Sequence, residues 1–338
     1  MVSALVTLAT ADYLEQAKQF FSSVFHNGAW EGECVLLAHE ISSANVSWFL
    51  QHGITVIHCQ SLFTGAPGGM HASLTSKFYL FGPQFQKYDV VVYVDADTTV
   101  LGNLNHLKTI QKFGAVRDYL DTLGNQFISV LSLDSRSISF NEFQRLKQEI
   151  MVNNSESQVV FNAGMFVFRP SKIPRDTMQK LIDAMNKYSV ISAFGDQLAF
   201  HIVFKEWENV SPLYNMYVID ETNKYGLSRK KLRAIILHFT GRIKPWNKQN
   251  YYTKLWNFYY KKSEEINMHA CTLKETWTSA DILKYDIYLR RIKIRTYIQT
   301  GLRILDSKIG QVGILVKKYS PRTYLILRQI MDANPFRT

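Results

Sequence analysis

Three near-continuous apolar runs of strand length fall in the first sixty residues: "ALVTLAT" (4–10), "ECVLLAH" (33–39) and "ITVIHC" (54–59). Between the first two, "ADYLEQAKQFFSSVF" sets Tyr13, Ala17, Phe20, Phe21 and Val24 at helical spacing. Between the second and third, "SSANVSWFLQHG" reads as a short helix ended by Gly53. Strands without a polar face, alternating with helices, predict a parallel sheet covered on both sides. A Gly/Pro turn, "TGAPGG" (64–69), leads to a predicted helix, "SLTSKFYLFGPQF" (73–85), and then to a fourth strand in "DVVVYVDADTT". Irregular polar stretches follow to about Glu156, among them "SLDSRSISFNEFQRLKQEI". Two more apolar strands are predicted in "VVFNAGMFVFRP" (159–170) and "RAIILHFTG" (233–241), with the helix "RDTMQKLIDAMNKYS" between them.

From about Ser279 the texture changes. "DILKYDIYLRRIKIRTYIQTGLRILDSKIGQVGILVKKYS" is basic and aliphatic together. The pattern therefore divides the chain into a core-forming part, 1–258, and a basic amphipathic helical tail, 259–338. Composition agrees: 46% hydrophobic and 20% charged residues over 338 positions describe a globular chain, long enough for one large α/β domain and an appendage. The 39 Lys and Arg against 28 Asp and Glu give +11, most of the excess lying after Lys261. That predicts an anionic partner: a nucleotide, a phospholipid face or a nucleic acid. Cys34, Cys59 and Cys271 are odd in number and share no CxxC spacing, which suits a reducing compartment better than a disulfide framework. "MVSALVTLAT" lacks a basic leader and reads as a strand, and no run of ~18 apolar residues is present. A cytoplasmic protein is expected.

Candidate chemistry begins where the fourth strand ends. Asp95 and Asp97 sit at i and i+2, on one side of an extended backbone, and two carboxylates there suit a hard divalent cation that neutralises a diphosphate. Alone, the pair is equally a solvated loop with an Asx turn. "DADTT" also fits the DxDx[TV] pattern of haloacid-dehalogenase-like phosphatases, in which the first Asp is a nucleophile and the second a general acid. Those enzymes carry the motif on their first strand and need a later acidic pair with a lysine. Here three β/α elements precede it, and no DD or GDxxxD follows.

"HFTGRIKPW" (238–246) shifts the balance. His238 ends a strand with an imidazole suited to a metal, Gly241 lets backbone approach a phosphate, and Lys244 can pair with it.

In order along the chain, "VTLAT", the DxD after a strand, "FNAGMFVF", "GDQ" and "HFTGRIKPW" resemble the retaining glycosyltransferases of family 8, the family of glycogenin and the bacterial lipopolysaccharide galactosyltransferases. The resemblance covers roughly residues 2 to 258. It implies a GT-A-type, Rossmann-like nucleotide-sugar-binding sheet with Asp95, Asp97 and His238 as manganese ligands. Gly241 and Lys244 would hold the diphosphate of a UDP-sugar. Leu8 and Thr10, with Tyr13 nearby, would meet the uracil, and Ala96 the ribose. Lys77 would reach phosphates and donor sugar, Asn162 and Ala163 would line the sugar pocket, and Asp196 and Gln197 would lie at the sugar hydroxyls and near the anomeric carbon. Each has a plain alternative: Lys77 a solvated helix residue, "FNAG" a bulged core strand, Asp196 a helix cap. Some positions depart from glycogenin-type members: Ala11, Leu14 and Ala193 replace an Asn, a Tyr and an Asp, so base and sugar contacts differ in detail.

The resemblance implies a manganese-dependent enzyme that moves glucose or galactose from UDP to a glycan, a lipid-linked saccharide, a protein, or a tyrosine of its own chain. Other functions remain: the phosphatase, and a non-catalytic UDP-sugar-binding scaffold. In the tail, Arg290, Arg291, Lys293 and Arg295 interleave with aliphatics, as an interfacial helix on an anionic membrane would, or as a helix packing on this domain or on a second copy. No recognised nucleic-acid module accompanies that charge.

Overall fold

The computed structural model describes residues 1–65, 71–152, 154–218, 234–240, 244–247 and 252–268. Residues 269–338, which hold all but the first ten positions of the predicted basic tail (259–338), lie outside the described residues, as does Gly241.

A seven-stranded sheet forms the centre. Its strands are β1 (Ser3–Ala9), β2 (Glu33–His39), β3 (Thr55–Cys59), β4 (Val90–Val94), β6 (Gly114–Thr122), β7 (Val159–Phe168) and β8 (Glu208–Val210), in the order β3-β2-β1-β4-β7-β6-β8. β1 runs parallel to both β2 and β4, and β2 to β3. The expected parallel sheet holds for these four. β7 runs antiparallel to β4 and to β6, which the alternation of strands and helices did not announce.

Successive residues of the central strands feed two different cores. Leu5, Leu36, Val92 and Met165 pack on one face with Ala17, Phe20, Phe21 and Val24 of α1 (Leu14–Asn27). Val6, Leu37, Tyr93 and Phe166 pack on the other with Phe78 and Phe81, Leu181 of α4 (Thr177–Tyr188) and Phe200 of α5 (Asp196–Val203). Two buried faces explain the unbroken apolar runs.

Between 72 and 85 the structure differs from the predicted helix. The chain makes 3-10 turns over Ala72–Phe81 and Pro83–Phe85, parted at Gly82, whose extended backbone (ψ 176°) suits the residue before a proline. A short α2 (Ser47–Gln51) stands where expected. The stretch read as irregular contains β6 and an α3 helix (Phe140–Met151). Ser139 accepts the Glu142 N–H at the start of α3, and Phe143, Leu146 and Ile150 form its buried face.

A smaller sheet, β5-β10-β9, leans over one end of the large one: β5 (Thr98–Val100), β9 (Met216–Tyr217) and β10 (Ile236–His238). Three polar residues of α1, one helical turn apart, hold β5 in place. Gln19 Nε2 donates to Thr99 Oγ1 (2.8 Å), Ser23 Oγ accepts the Val100 N–H (2.9 Å), and Asn27 Nδ2 donates to the Val100 carbonyl (2.8 Å). All three are buried, a polar stripe that complements an apolar one. A further helix, α6 (Thr253–Lys261), packs against α1.

Candidate active site

Strand order places the site. From β1 the chain runs outward through β2 and β3, then returns to lay β4 on the other side of β1. A crevice opens at the carboxyl ends of such a pair. Thr10 follows β1 there, and Asp95 and Asp97 follow β4, in a bend that separates it from β5.

The small sheet brings the third group. β10 pairs with β5 so that His238 faces Thr98, the Phe239 N–H donates to the Asp97 carbonyl (2.9 Å), and the Asp95 N–H donates to the Gly164 carbonyl of β7 (2.8 Å). His238 Nε2 consequently lies 3.1 Å from Asp97 Oδ1 and 3.9 Å from Asp95 Oδ2. One ligand atom from each of Asp95, Asp97 and His238 falls within 4.8 Å of the others, a spacing that one cation can close. Two carboxylate oxygens and an imidazole nitrogen are a donor set that fits a divalent metal.

Positive charge flanks the carboxylates. Lys77 Nζ, almost fully buried, stands 3.1 Å from Asp95 Oδ1 and 3.2 Å from Asp196 Oδ2, and donates to the Ala163 carbonyl (3.3 Å). Burial alone would lower its pKa; Asp196 and Asp95 outweigh burial and hold it above that of an ordinary lysine. The Tyr93 hydroxyl donates to Asp95 Oδ1 (2.6 Å), and burial, reinforced by Asp95, raises that phenol well above its usual range. Lys244 Nζ lies 2.7 Å from Asp97 Oδ2 and donates to the Phe239 carbonyl. Burial pushes the Asp97 carboxyl upward, but His238 and Lys244 overcome it and hold Asp97 ionised far below the normal range.

Asp95 Oδ1 is held by Lys77 and Tyr93, while its Oδ2 lies 3.9 Å from His238 Nε2.

At the opposite wall Gln197 Oε1 accepts from the Ala163 N–H and from Asn162 Nδ2, both at 3.2 Å. Asp196 does not cap α5; Gly195 does, at φ +67°, and the Asp196 carboxylate points to Lys77 instead. Tyr13 stands at the rim, its ring edge-on to Trp246 (6.2 Å between centroids), and its phenol is raised by burial and by Asp97. Leu8 and Thr10 occupy the end of β1 and its exit. Ala96 and Ala163 are buried, and the Ala163 backbone is bonded on both sides, its N–H to Gln197 and its carbonyl to Lys77.

The family described as "Glycosyl transferase family 8" matches residues 6–250. The chain belongs to glycosyltransferase family 8. Among curated relatives of this family 8 member, galactinol synthase 7 of Arabidopsis thaliana is 27% identical over 165 residues, 48% of each chain. Glycosyltransferase GlyB of Streptococcus pneumoniae serotype 4 is 25% identical over 201 residues, 55% of this chain and 42% of that one. The chain thus spans about half the length of the curated relatives it matches, 48% and 47% of the two galactinol synthases heading the comparison. Among solved structures, the bifunctional WbbM superposes with a TM-score of 0.57 at 17% identity, over 85% of this chain and 51% of that one. The galactosyltransferase LgtC, in complex with donor and acceptor sugar analogs, gives 0.54 at 16% identity over 83% and 99%. These likenesses establish a GT-A-type fold.

Three residues of the site escaped the sequence reading. Gly164 follows the two "FNAG" residues of the predicted site, and its lack of a side chain is what admits the Asp95 and His238 side chains. A Cβ there would stand 2.7 Å from both Asp95 Oδ2 and Asn162 Oδ1, and would collide with the His238 ring. Asn215 and Gln126 come from "PLYN" and "LGNQ", segments with no motif of their own, and only the folded topology carries them to the site.

Proposed function

We propose that this family 8 protein is a manganese-dependent, retaining hexosyltransferase that takes glucose or galactose from a UDP-sugar and passes it to a glycan, lipid-linked or protein acceptor. The observation that carries this reading is the convergence of Asp95, Asp97 and His238 at the sheet's switch point, with Lys77 and Lys244 beside them. That its relatives include galactinol synthases supports a hexose donor.

A bound divalent cation supplies Lewis-acid stabilisation to the departing diphosphate. Asp95, Asp97 and His238 would hold it. Lys77, kept protonated by its two carboxylates, adds a fixed positive potential where charge develops on the leaving group. Lys244 leaves Asp97 for the diphosphate when both are offered. Asp196 would accept from a sugar hydroxyl while Lys77 fixes its orientation. Gln197 is a poor nucleophile: it is a neutral amide whose oxygen already accepts two N–H groups. Its role is to position the sugar and favour its developing charge. Transfer then proceeds on the front face through an oxocarbenium-like state, the acceptor hydroxyl losing its proton to the leaving diphosphate.

The test is UDP release from a panel of UDP-sugars, with Mn²⁺ or EDTA, in wild type and Asp97→Asn. Release from one sugar, abolished by EDTA and by the substitution, supports the proposal and names the donor. Nucleotide binding with no release from any sugar, even with candidate acceptors, would favour the non-catalytic scaffold.

A further inference from the structure

Four side-chain amides run in an unbroken line from His238 to Gln126. His238 Nδ1 lies 2.7 Å from Asn215 Oδ1, and Asn215 Nδ2 donates to Asn162 Oδ1 at 3.0 Å. Asn162 Nδ2 donates to Gln197 Oε1, and Gln197 Nε2 to Gln126 Oε1, both at 3.2 Å. Amides can be turned end for end, so the direction of such a line needs a fixed point. Two are present. The backbone N–H of Ala163 points at Gln197 Oε1, and that of Gly164 at Asn162 Oδ1 (2.9 Å). A backbone N–H can only donate, so both of those atoms are oxygens. Asn162 Oδ1 then requires a donor from Asn215, which turns the Asn215 oxygen toward His238. The imidazole nitrogen facing it must carry hydrogen. With Nδ1 tied to hydrogen in this way, Nε2 is the nitrogen that can give its lone pair to a cation seated between Asp95 Oδ2 and Asp97 Oδ1, and without a cation it faces Asp97 through hydrogen.

We infer that Asn215 is a positioning residue: its side-chain oxygen holds the Nδ1–H of His238 so that Nε2 is presented to a cation, and its amino group ties that ligand through Asn162 to Gln197. The inference rests on the proposed metal site. Asn215 is 3% exposed, and its side-chain oxygen and amino group are taken by His238 and Asn162, so its contribution passes through those neighbours. Loss of a partner that orients a ligating histidine typically weakens metal binding by about 10–100-fold.

Two substitutions separate the two halves of this role. Asn215→Leu keeps the volume and removes both bonds. Asn215→Asp keeps an acceptor for the Nδ1–H but sets a carboxylate oxygen against Asn162 Oδ1. The readouts are Mn²⁺ affinity by titration without nucleotide, pulsed-EPR coupling of a directly bound imidazole ¹⁴N, and turnover. Wild type should bind Mn²⁺ and show the nitrogen coupling. Asn215→Leu should bind on the order of 10–100-fold more weakly, with the coupling lost or scattered. Asn215→Asp should retain affinity and coupling while kcat falls, because the disturbance lies on the Gln197 side.

An Asn215→Leu protein with native circular dichroism, wild-type affinity and intact coupling overturns the inference. Loss of the coupling in Asn215→Asp overturns it too, and serves if the leucine variant does not fold. Failure of wild type itself to bind Mn²⁺ refutes the metal site and this role with it; a wild type that binds beside an indifferent leucine variant refutes only the role.

Discussion

Lys244 and His238 divide one carboxylate between them: Lys244 Nζ is 2.7 Å from Oδ2 of Asp97, and His238 Nε2 is 3.1 Å from Oδ1. The lysine thus stands where a cation's field would be felt most, and also on the loop proposed to grip the diphosphate. A metal arriving alone meets like charge; a metal arriving with a nucleotide gives Lys244 another anion to hold. Lys244→Met should therefore strengthen Mn²⁺ binding in the absence of nucleotide, by several-fold on the Coulomb scale for partly buried charges, and weaken UDP binding in its presence. Isothermal titration of both ligands checks this. Weaker binding of Mn²⁺ alone to the variant would show that Lys244 supports the site and does not compete with it.

Lys77 is the only described cation within reach of both Asp95 and Asp196. Lys77→Met leaves the buried Asp196 carboxylate facing the half-buried Asp95, and removing one partner of a buried pair such as Lys77–Asp196 costs about 3–5 kcal/mol. Urea unfolding of the variant should report a loss of that order, part of it recovered with saturating Mn²⁺, which neutralises Asp95. Turnover should fall by roughly 10²–10³ from the lost potential at the leaving group. A variant as stable as wild type would mean that Asp196 is neutral in the native protein.

Gly164→Ala tests the site's geometry without replacing any of the proposed ligands. The added methyl meets Asp95 Oδ2 and Asn162 Oδ1 at 2.7 Å, closer than a methyl carbon can rest. Since Gly164 lies within β7, the backbone itself accepts alanine and the sheet should survive. Mn²⁺ affinity is expected to drop by at least about tenfold, on the scale seen when a ligand's supports are disturbed, with little change in far-ultraviolet dichroism. Unchanged affinity would place the metal away from Gly164.

Cys59 ends β3 in the apolar core, and burial pushes its thiol up to about 11. The thiolate is the reactive form, so iodoacetamide at pH 8 should leave Cys59 unmodified in the native protein and label it in urea. Because the folded pKa exceeds that of the free thiol, the group favours folding fully below about pH 9. That contribution fades as pH rises toward 11. Peptide mapping by mass spectrometry reads the first statement, and alkaline unfolding of Cys59→Ala beside wild type reads the second.

How much of this was legible in the chain depends on where each signal resided. β1 to β4, β7 and β10 showed themselves because both faces are apolar. β6 did not: Arg117 and Asp118 interrupt its apolar pattern, and its pairing with β7 slips twice. α3 carried its start signal in Ser139 and Glu142, and a helical stripe in Phe143, Leu146 and Ile150, both overlooked amid polar neighbours. The buried polar stripe of Gln19, Ser23 and Asn27 could not be told from a solvated helix face until β5 was laid against it. In the site, the carboxylates, His238, Lys77 and Gln197 came from motifs in a fixed order. Asn215 and Gln126 have meaning only through neighbours far away in sequence.

That remoteness has a kinetic side. Asp97 and Lys244 are 147 positions apart, and contacts of such span are among the last a chain can close. The carboxylate pair can assemble with the first strands, but the imidazole that completes the site arrives only when β10 docks against β5. A metal would recognise the finished protein and none of its precursors. Its binding energy would accordingly slow unfolding and leave refolding at the pace the bare chain sets, giving a loaded enzyme that lasts longer without forming sooner.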